Sequence, residues 1–196
     1  LLKKGFEVIV IDNFMYNQIP LLDCCCDDKL SIIRGDVRDK KLISEYMKEA
    51  DFIIPLACLT GAPLCARDQV GAQTINFDAV KMLLDLKSKT QKIIFPTTNS
   101  GYGIGQEGVH CTEETPLNPI SLYGKLKVDI EKIILNEGNG ITLRLATVFG
   151  ISPRMRFDLL VNDFAYRAVT DKALVLFEAH FKRNFVHVRD IARVFI

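Results

Sequence analysis

Short β-branched runs alternate with longer stretches of helical spacing along almost the whole chain, and this alternation restricts the fold more than any other feature of the sequence. Residues 7–11 (Glu-Val-Ile-Val-Ile), 30–34, 52–56, 92–95 and 141–145 read as strands. Residues 40–49, 76–86 and 122–135 read as helices between them. In the last of these, Tyr123, Val128, Ile130, Ile133 and Ile134 recur at spacings that give one buried face. Strands that are apolar throughout must be covered on both sides, and intervening helices supply the cover. The expectation is an α/β fold built on a doubly wound parallel sheet.

The texture changes after Gly150. Arg154, Arg156 and Arg167 appear, with a predicted helix over 157–169, short strands at 174–177 and 185–188, and a helix-like stretch over 189–196. This pattern predicts the start of a smaller region. At the other end, residues 1–6 read as the last turn of a helix and its glycine cap. The expectation from these uncapped ends is that the chain is cut at both.

Composition excludes several classes of partner. The formal net charge is +1, too small for bulk attraction to nucleic acid or an acidic membrane. No window reaches the roughly 20 apolar residues a membrane span needs; the richest, 52–64, is broken by Pro55, Gly61 and Pro63. With no leader pattern at its start, the chain is expected to be cytoplasmic. The cysteines are Cys24, Cys25, Cys26, Cys58, Cys65 and Cys111. Adjacent side chains in the 24–26 run diverge and no Cys-x-x-Cys pair supports them, so no metal site is expected.

Several polar groups follow the strands. Asp12 ends the first, where a carboxylate accepts hydrogen bonds from the adenosine ribose of NAD and repels the 2′-phosphate of NADP; a plain turn aspartate is the alternative. Gly35-Asp36-Val37-Arg38-Asp39 follows the second, and a carboxylate there can hold an adenine amino group while Val37 packs on the ring, or can cap the next helix. Tyr123 and Lys127 lie four apart and share a helix face. An ammonium near a phenol favours the phenolate, which makes Tyr123 a base or acid for a sugar hydroxyl. With 5 tyrosines in the chain, such a pair arises by chance often enough to need support. Thr97-Thr98-Asn99-Ser100-Gly101-Tyr102-Gly103 gives it: Thr98 can complete a relay with Tyr123 and Lys127, and Gly101, Gly103 and Gly105 let backbone approach a ligand. His187, on an apolar strand, reads as structural.

Together these segments resemble the extended short-chain dehydrogenase/reductase family, specifically its nucleotide-sugar epimerases and dehydratases. The resemblance is carried by Ile11-Asp12-Asn13, Gly35-Asp36-Val37-Arg38-Asp39, Pro55-Leu56-Ala57-Cys58, Asn76, the 97–103 segment, Pro119-Ile120-Ser121-Leu122-Tyr123-Gly124-Lys125-Leu126-Lys127, Leu143-Arg144-Leu145-Ala146-Thr147-Val148-Phe149-Gly150 and Arg183-Asn184-Phe185-Val186-His187-Val188-Arg189-Asp190. It implies a Rossmann-like fold lacking its first strand and glycine-rich loop, with residues 1–150 as the N-terminally truncated dinucleotide-binding domain and 151–196 as a partial substrate-binding region. It implies NAD as cofactor, held by Asp12, Asn13, Asp36, Val37, Ala57, Tyr123 and Lys127. Thr98, Tyr123 and Lys127 become the catalytic set, and Asn162 and Arg183 meet a nucleotide-diphosphate sugar. The implied reaction is epimerisation through a transient keto sugar, in a homodimer joined through the helices of Asn76 and Tyr123. Reduction, dehydration or decarboxylation on the same scaffold stays open, as does a non-catalytic nucleotide-binding role. Asn99 and Ser100 stand where the 4,6-dehydratases carry Asp-Glu, which disfavours dehydration. Thr147 stands where many relatives carry a substrate-contacting Asn.

Overall fold

The computed structural model describes residues 1–18, 20–105 and 110–196. The chain divides into two compact units. The larger comprises Ile9–Asn13 and Ser31–Leu145; the smaller comprises Leu1–Val8, Phe14–Leu30 and Ala146–Ile196.

The larger unit is an alternation of strands and helices. Strand β1 (Val8–Asp12) pairs with β2 (Leu30–Arg34), and α1 (Lys40–Met47) follows. Asp39 starts α1, its carboxylate accepting from the Lys41 and Leu42 amides, as a helix N-cap should. Strand β3 (Phe52–Ile53) leads to the short helices α2 (Ala62–Arg67) and α3 (Gln69–Gly71), a π-helical segment Ala72–Asp78, and α4 (Ala79–Leu86). Then come β4 (Lys92–Thr98), α5 (Leu122–Glu137) and β5 (Gly140–Leu145). Strands β3, β4 and β5 form a parallel ladder in that order, with Ile53 opposite Ile93 and Thr98 opposite Leu145.

Packing explains why α5 lies where it does. Ser121 caps it by accepting from the Gly124 amide, and Val128, Ile130 and Ile134 are each at most 1% exposed. Ile130 and Ile134 join Ile93 and Phe95 of β4 in one core with Val80, Leu83 and Leu84 of α4. Burying side chains of this size contributes about 1.5–3 kcal/mol each before entropy is charged against it. Parallel pairing and helix cover thus agree with the doubly wound α/β expectation.

The smaller unit carries η1 (a 3₁₀ turn, Leu2–Lys4) closed by Gly5 at φ 86°, as residues 1–6 predict. It also carries β6 (Thr147–Phe149) and β7 (Phe185–His187), paired in parallel, with α6 (Leu160–Thr170) and α7 (Val188–Val194).

Three departures from the sequence reading have a plain physical cause. The strand over 52–56 stops at Ile53, because Pro55 has no N–H to give the ladder. The helix predicted from Asn76 begins seven residues earlier, and a π-helical segment carries it past Asn76. No strand forms over 174–177: Val175, Leu176 and Phe177 are 70, 60 and 85% exposed and no ladder partners them among the described residues. β propensity has force only where a neighbouring strand can use it.

Gly140 shows how tightly α5 and β4 close. A Cβ there would lie 2.4 Å from Ile134 Cγ2 and 2.6 Å from Ile93 Cγ2, both side chains of the core. Gly140→Ala is expected to cost about 1–3 kcal/mol by overpacking, seen in thermal unfolding as a fall in Tm of roughly 2–4 °C per kcal/mol.

Candidate active site

The polar residues singled out in the larger unit sit where strands end. Asp12 is the last residue of β1 and is exposed; its carbonyl accepts from the Gly35 amide at 3.0 Å, which fastens the two strand ends together. Asp36 is held by Arg38 through a fork, Nε to Oδ1 at 2.8 Å and Nη2 to Oδ2 at 2.6 Å, with the Arg38 amide also donating to Oδ1 at 2.9 Å. The Arg38 guanidinium, opposed by partial burial and helped by the Asn13 side chain, holds the Asp36 carboxyl down to about 2. Asn13 and Asp36 are therefore brought together, with half-buried Val37 beside them.

Ala57 lies exposed in the loop after β3. That loop is pinned by Asn76, whose Oδ1 accepts from the Leu59 amide at 2.8 Å and whose Nδ2 donates to the Leu59 carbonyl at 3.0 Å. Asn76 is 2% exposed, and the π-helical turn is the local distortion that presents it to the loop. Such turns gather at functional sites.

Lys127 is 4% exposed. Its Nζ donates to the Pro96 carbonyl at 2.8 Å and stands 4.3 Å from the Phe95 ring centroid. Burial pushes its pKa down, against the opposing pull of the Cys58 thiol beside it; the same burial pushes the Cys58 thiol up. Tyr123 lies one turn earlier on α5, half-buried and packed with Leu122 against Leu59, Cys65, Ala72 and Leu126. Thr98, 8% exposed, ends β4. Its hydroxyl accepts from the Ser100 amide at 3.1 Å and donates to Ser100 Oγ at 3.1 Å, capping the turn Asn99–Tyr102. Gly103 closes that turn at φ 75°, where a Cβ would lie 2.2 Å from the Asn118 carbonyl oxygen.

The structure thus places Thr98, Tyr123 and Lys127 on two elements packed on each other, β4 and α5. An ammonium, a phenol and a hydroxyl in that arrangement suit proton transfer at a substrate hydroxyl. Exposed Asp12, half-buried Asn13 and Asp36 and the Lys127 ammonium are polar groups of the kind that meet a dinucleotide's adenosine and ribose in such folds, and Ala57 and Val37 add apolar surface beside them.

Asn162 and Arg183 belong to the smaller unit. Asn162 is 5% exposed; its Oδ1 accepts from the Gly150 amide at 3.2 Å and its Nδ2 donates to the Arg156 carbonyl at 3.0 Å. Arg183 is exposed just ahead of β7. His187 Nδ1 accepts from the Arg189 amide and its ring meets Phe149 edge-on at 5.3 Å, the structural role its strand position suggests.

Three residues went unassigned in the sequence. Cys58 stands in a quoted segment but has no partner nearby in the chain; its lysine lies 69 positions on. Ser100 was visible in the 97–103 segment, but its pairing with the Thr98 hydroxyl shows only in the turn. Glu131 continues the Tyr123–Lys127 stripe at the next four-residue step, a periodicity that was visible, and is bound by Arg144. Among the described residues no three His, Cys, Asp or Glu side chains gather as metal ligands, and no helix is long and apolar enough to cross a membrane.

Comparison with known proteins adds to this geometry. The model of the NAD dependent epimerase/dehydratase family matches residues 1–196. UDP-glucose 4-epimerase of Lactobacillus helveticus is 25% identical over 158 residues, 78% of this chain and 46% of that protein. UDP-glucuronic acid decarboxylase 1 of Arabidopsis thaliana is 27% identical over 205 residues, 97% of this chain and 46% of that protein. The chain spans a little under half the length of these curated relatives. The UDP-glucuronic acid 4-epimerase of Bacillus cereus, solved with UDP-glucuronic acid and NAD, superposes with a TM-score of 0.82 at 24% identity, covering 98% of this chain and 65% of that one. A likeness at that identity establishes the fold.

The Asp36–Arg38 fork has a readable titration. Asp36 titrates below the roughly 3.9 of an unfolded aspartate, so the pair stabilises the fold fully above that value and loses its effect as pH falls toward 2. In Arg38→Ala the Asp36 carboxyl is expected to titrate back near its ordinary value, as followed by carbon NMR of labelled aspartate.

Proposed function

The chain belongs to the NAD-dependent epimerase/dehydratase family, and from that membership we propose that its protein epimerises a nucleotide-diphosphate sugar through a transient keto sugar. The observation that carries this reading is Lys127: an ammonium buried on the face of α5 that bears Tyr123, and fixed to the Pro96 carbonyl two residues ahead of Thr98.

In this reading Tyr123 takes the proton of a sugar hydroxyl and later returns it. Lys127 lowers the cost of the phenolate by its charge, and burial makes that charge felt more strongly than in water. Thr98 orients the hydroxyl, with Ser100 continuing the hydrogen-bond chain. Bound NAD would supply a hydride acceptor and donor for the same carbon. Asp12, Asn13, Asp36, Val37 and Ala57 hold its adenosine end and flank, and Lys127 its nicotinamide ribose. Epimerisation would result from return of that hydride to the opposite face of the keto sugar.

In the smaller unit, Arg183 is assigned to the diphosphate, which its planar fork can grip in two places. Asn162 uses one lone pair and one N–H on the main chain and keeps one of each for the nucleotide sugar. The protein is assigned a homodimeric state, with the contact on the helices of Asn76 and Tyr123. Support for the substrate class comes from the relatives, which act on or are solved with UDP-sugars.

A second reading, decarboxylation of a nucleotide-linked uronic acid, is favoured by the likeness to the plant decarboxylase over nearly the whole chain. Both readings use the same base. Incubation of the full-length protein with NAD and a panel of UDP-, dTDP-, GDP- and CDP-sugars separates them by NMR: a new stereoisomer marks epimerisation, and a pentose with released carbon dioxide marks decarboxylation. Tyr123→Phe is expected to lower turnover by at least about 100-fold while leaving NAD affinity nearly unchanged. Lys127→Met removes the charge that favours the phenolate, so the acidic limb of the kcat/KM profile should move to higher pH. An unmoved limb would remove Lys127 from this role.

A further inference from the structure

Arg144 joins three parts of the larger unit that the proposed chemistry keeps separate. It projects from β5, directly opposite Thr97 of β4. Toward α5, its Nε donates to Glu131 Oε1 at 2.8 Å and its Nη2 lies 2.7 Å from the same carboxylate. Toward the turn behind Thr98, Nη1 donates to Tyr102 Oη at 3.1 Å, and the guanidinium carbon stands 5.2 Å from the Tyr102 ring centroid. Nη1 also donates to the Glu113 carbonyl at 3.0 Å, and Tyr102 Oη donates to the Thr112 carbonyl at 3.0 Å.

Each end of this connection leads to a residue of the candidate site. Glu131 follows Lys127 by four residues and Tyr123 by eight, so all three share one stripe of α5 spanning about 12 Å. Tyr102 ends the turn that Thr98 caps, and Ser100 within it takes both hydrogen bonds of the Thr98 hydroxyl. The turn also presses on α5: a Cβ at Gly101 would lie 2.9 Å from Val128 Cγ2. Moving the turn therefore moves the Thr98 hydroxyl, and moving α5 moves the phenol and the ammonium.

The carboxylate at the far end is unusually dependent on its partner. The Glu131 side chain is 2% exposed and its Oε2 has no hydrogen-bond partner among the described residues. A buried ion pair contributes little net stability against desolvation. Its effect here is geometric, because one rigid fork reaches acceptors on the helix, the turn and the segment after it.

We propose that Arg144 is a positioning residue, whose guanidinium sets the spacing between the Thr98 turn and the helix that carries Tyr123 and Lys127. The proposal rests on the functional reading above for its effect on turnover. A lysine at this position keeps the charge that Glu131 needs but cannot bridge the same acceptors with one ammonium. Charge compensation and positioning are thereby separable.

In the full-length protein, Arg144→Lys is expected to keep Tm within a few degrees of the parent. It should lower kcat on the order of 10–100-fold, with KM for the nucleotide sugar and affinity for NAD almost unchanged. Tyr102→Phe keeps the ring under the guanidinium, loses only the hydroxyl, and should show a smaller loss of the same kind. If Arg144→Lys keeps the parent's kcat as well as its Tm, the residue serves stability alone and the proposal is overturned. If the parent itself turns over no nucleotide sugar, the functional reading has failed, and positioning is read by hydrogen exchange. The Gly103, Thr115 and Asn118 amides, all bonded within this turn region, should then lose protection on the order of tenfold in Arg144→Lys while the α5 amides keep theirs. Equal protection in both proteins overturns the proposal.

Discussion

Helix α5 buries a lysine and a glutamate on its inner face, and much of the larger unit is arranged around satisfying them. Lys127 and Glu131 are 4 and 1% exposed, while their neighbours Val128, Ile130 and Ile134 are fully packed. The apolar side chains supply the favourable free energy of docking the helix on β4 and β5. The charges oppose it, because each loses its water. Lys127 is compensated by a main-chain carbonyl and an aromatic face, Glu131 by a guanidinium. Two buried charges in a core this apolar fix one register of helix against sheet, since sliding by a turn would strand both.

The same economy of side chains holds the connecting loops. Asn76 meets both polar groups of Leu59. Gln91, 8% exposed, donates to the Met47 and Ala50 carbonyls, closing the end of α1 onto the segment before β4. Asn162 does the same for Gly150 and Arg156 within the smaller unit. An amide carries donor and acceptor together and no charge, so it can cap a buried backbone at less desolvation cost than an ionised group. Loops fixed this way can display Ala57 or the 150–156 segment without regular structure of their own.

Much of this was legible in the chain because it is local. The strands at 30–34 and 92–95, the helices beginning at Lys40 and Leu122, and the Tyr123–Lys127 stripe follow from periodicity and caps that a few residues contain. What escaped depends on distant partners. Residues 174–177 have the composition of a strand but lack a neighbour, whereas Thr147–Phe149, no more apolar, is a strand because Phe185–His187 lies beside it. Asp36 could be named as a loop carboxylate, but its fork with Arg38, formed across two residues, needed side-chain geometry. Cys58 beside Lys127 was beyond any window, since the chain brings them together only after β4 and α5 have docked.

The Thr98 turn shows why site and fold are hard to pull apart in such a protein. A threonine hydroxyl that caps a 3₁₀ turn has its rotamer chosen by that turn. The turn, in its own place, is set by Gly103 beneath the Asn118 carbonyl and by Tyr102 under the Arg144 guanidinium. The groups that join these contacts to the hydroxyl are the turn's backbone, an aromatic ring and a planar fork. Tyr123 is oriented from the other side by Ser121, whose cap sets the first turn of α5. The relative placement of Thr98 and Tyr123 is therefore determined where two capped turns meet across a packed helix and strand, and residues such as Ser100, Tyr102 and Ser121 carry as much of that placement as the two side chains themselves.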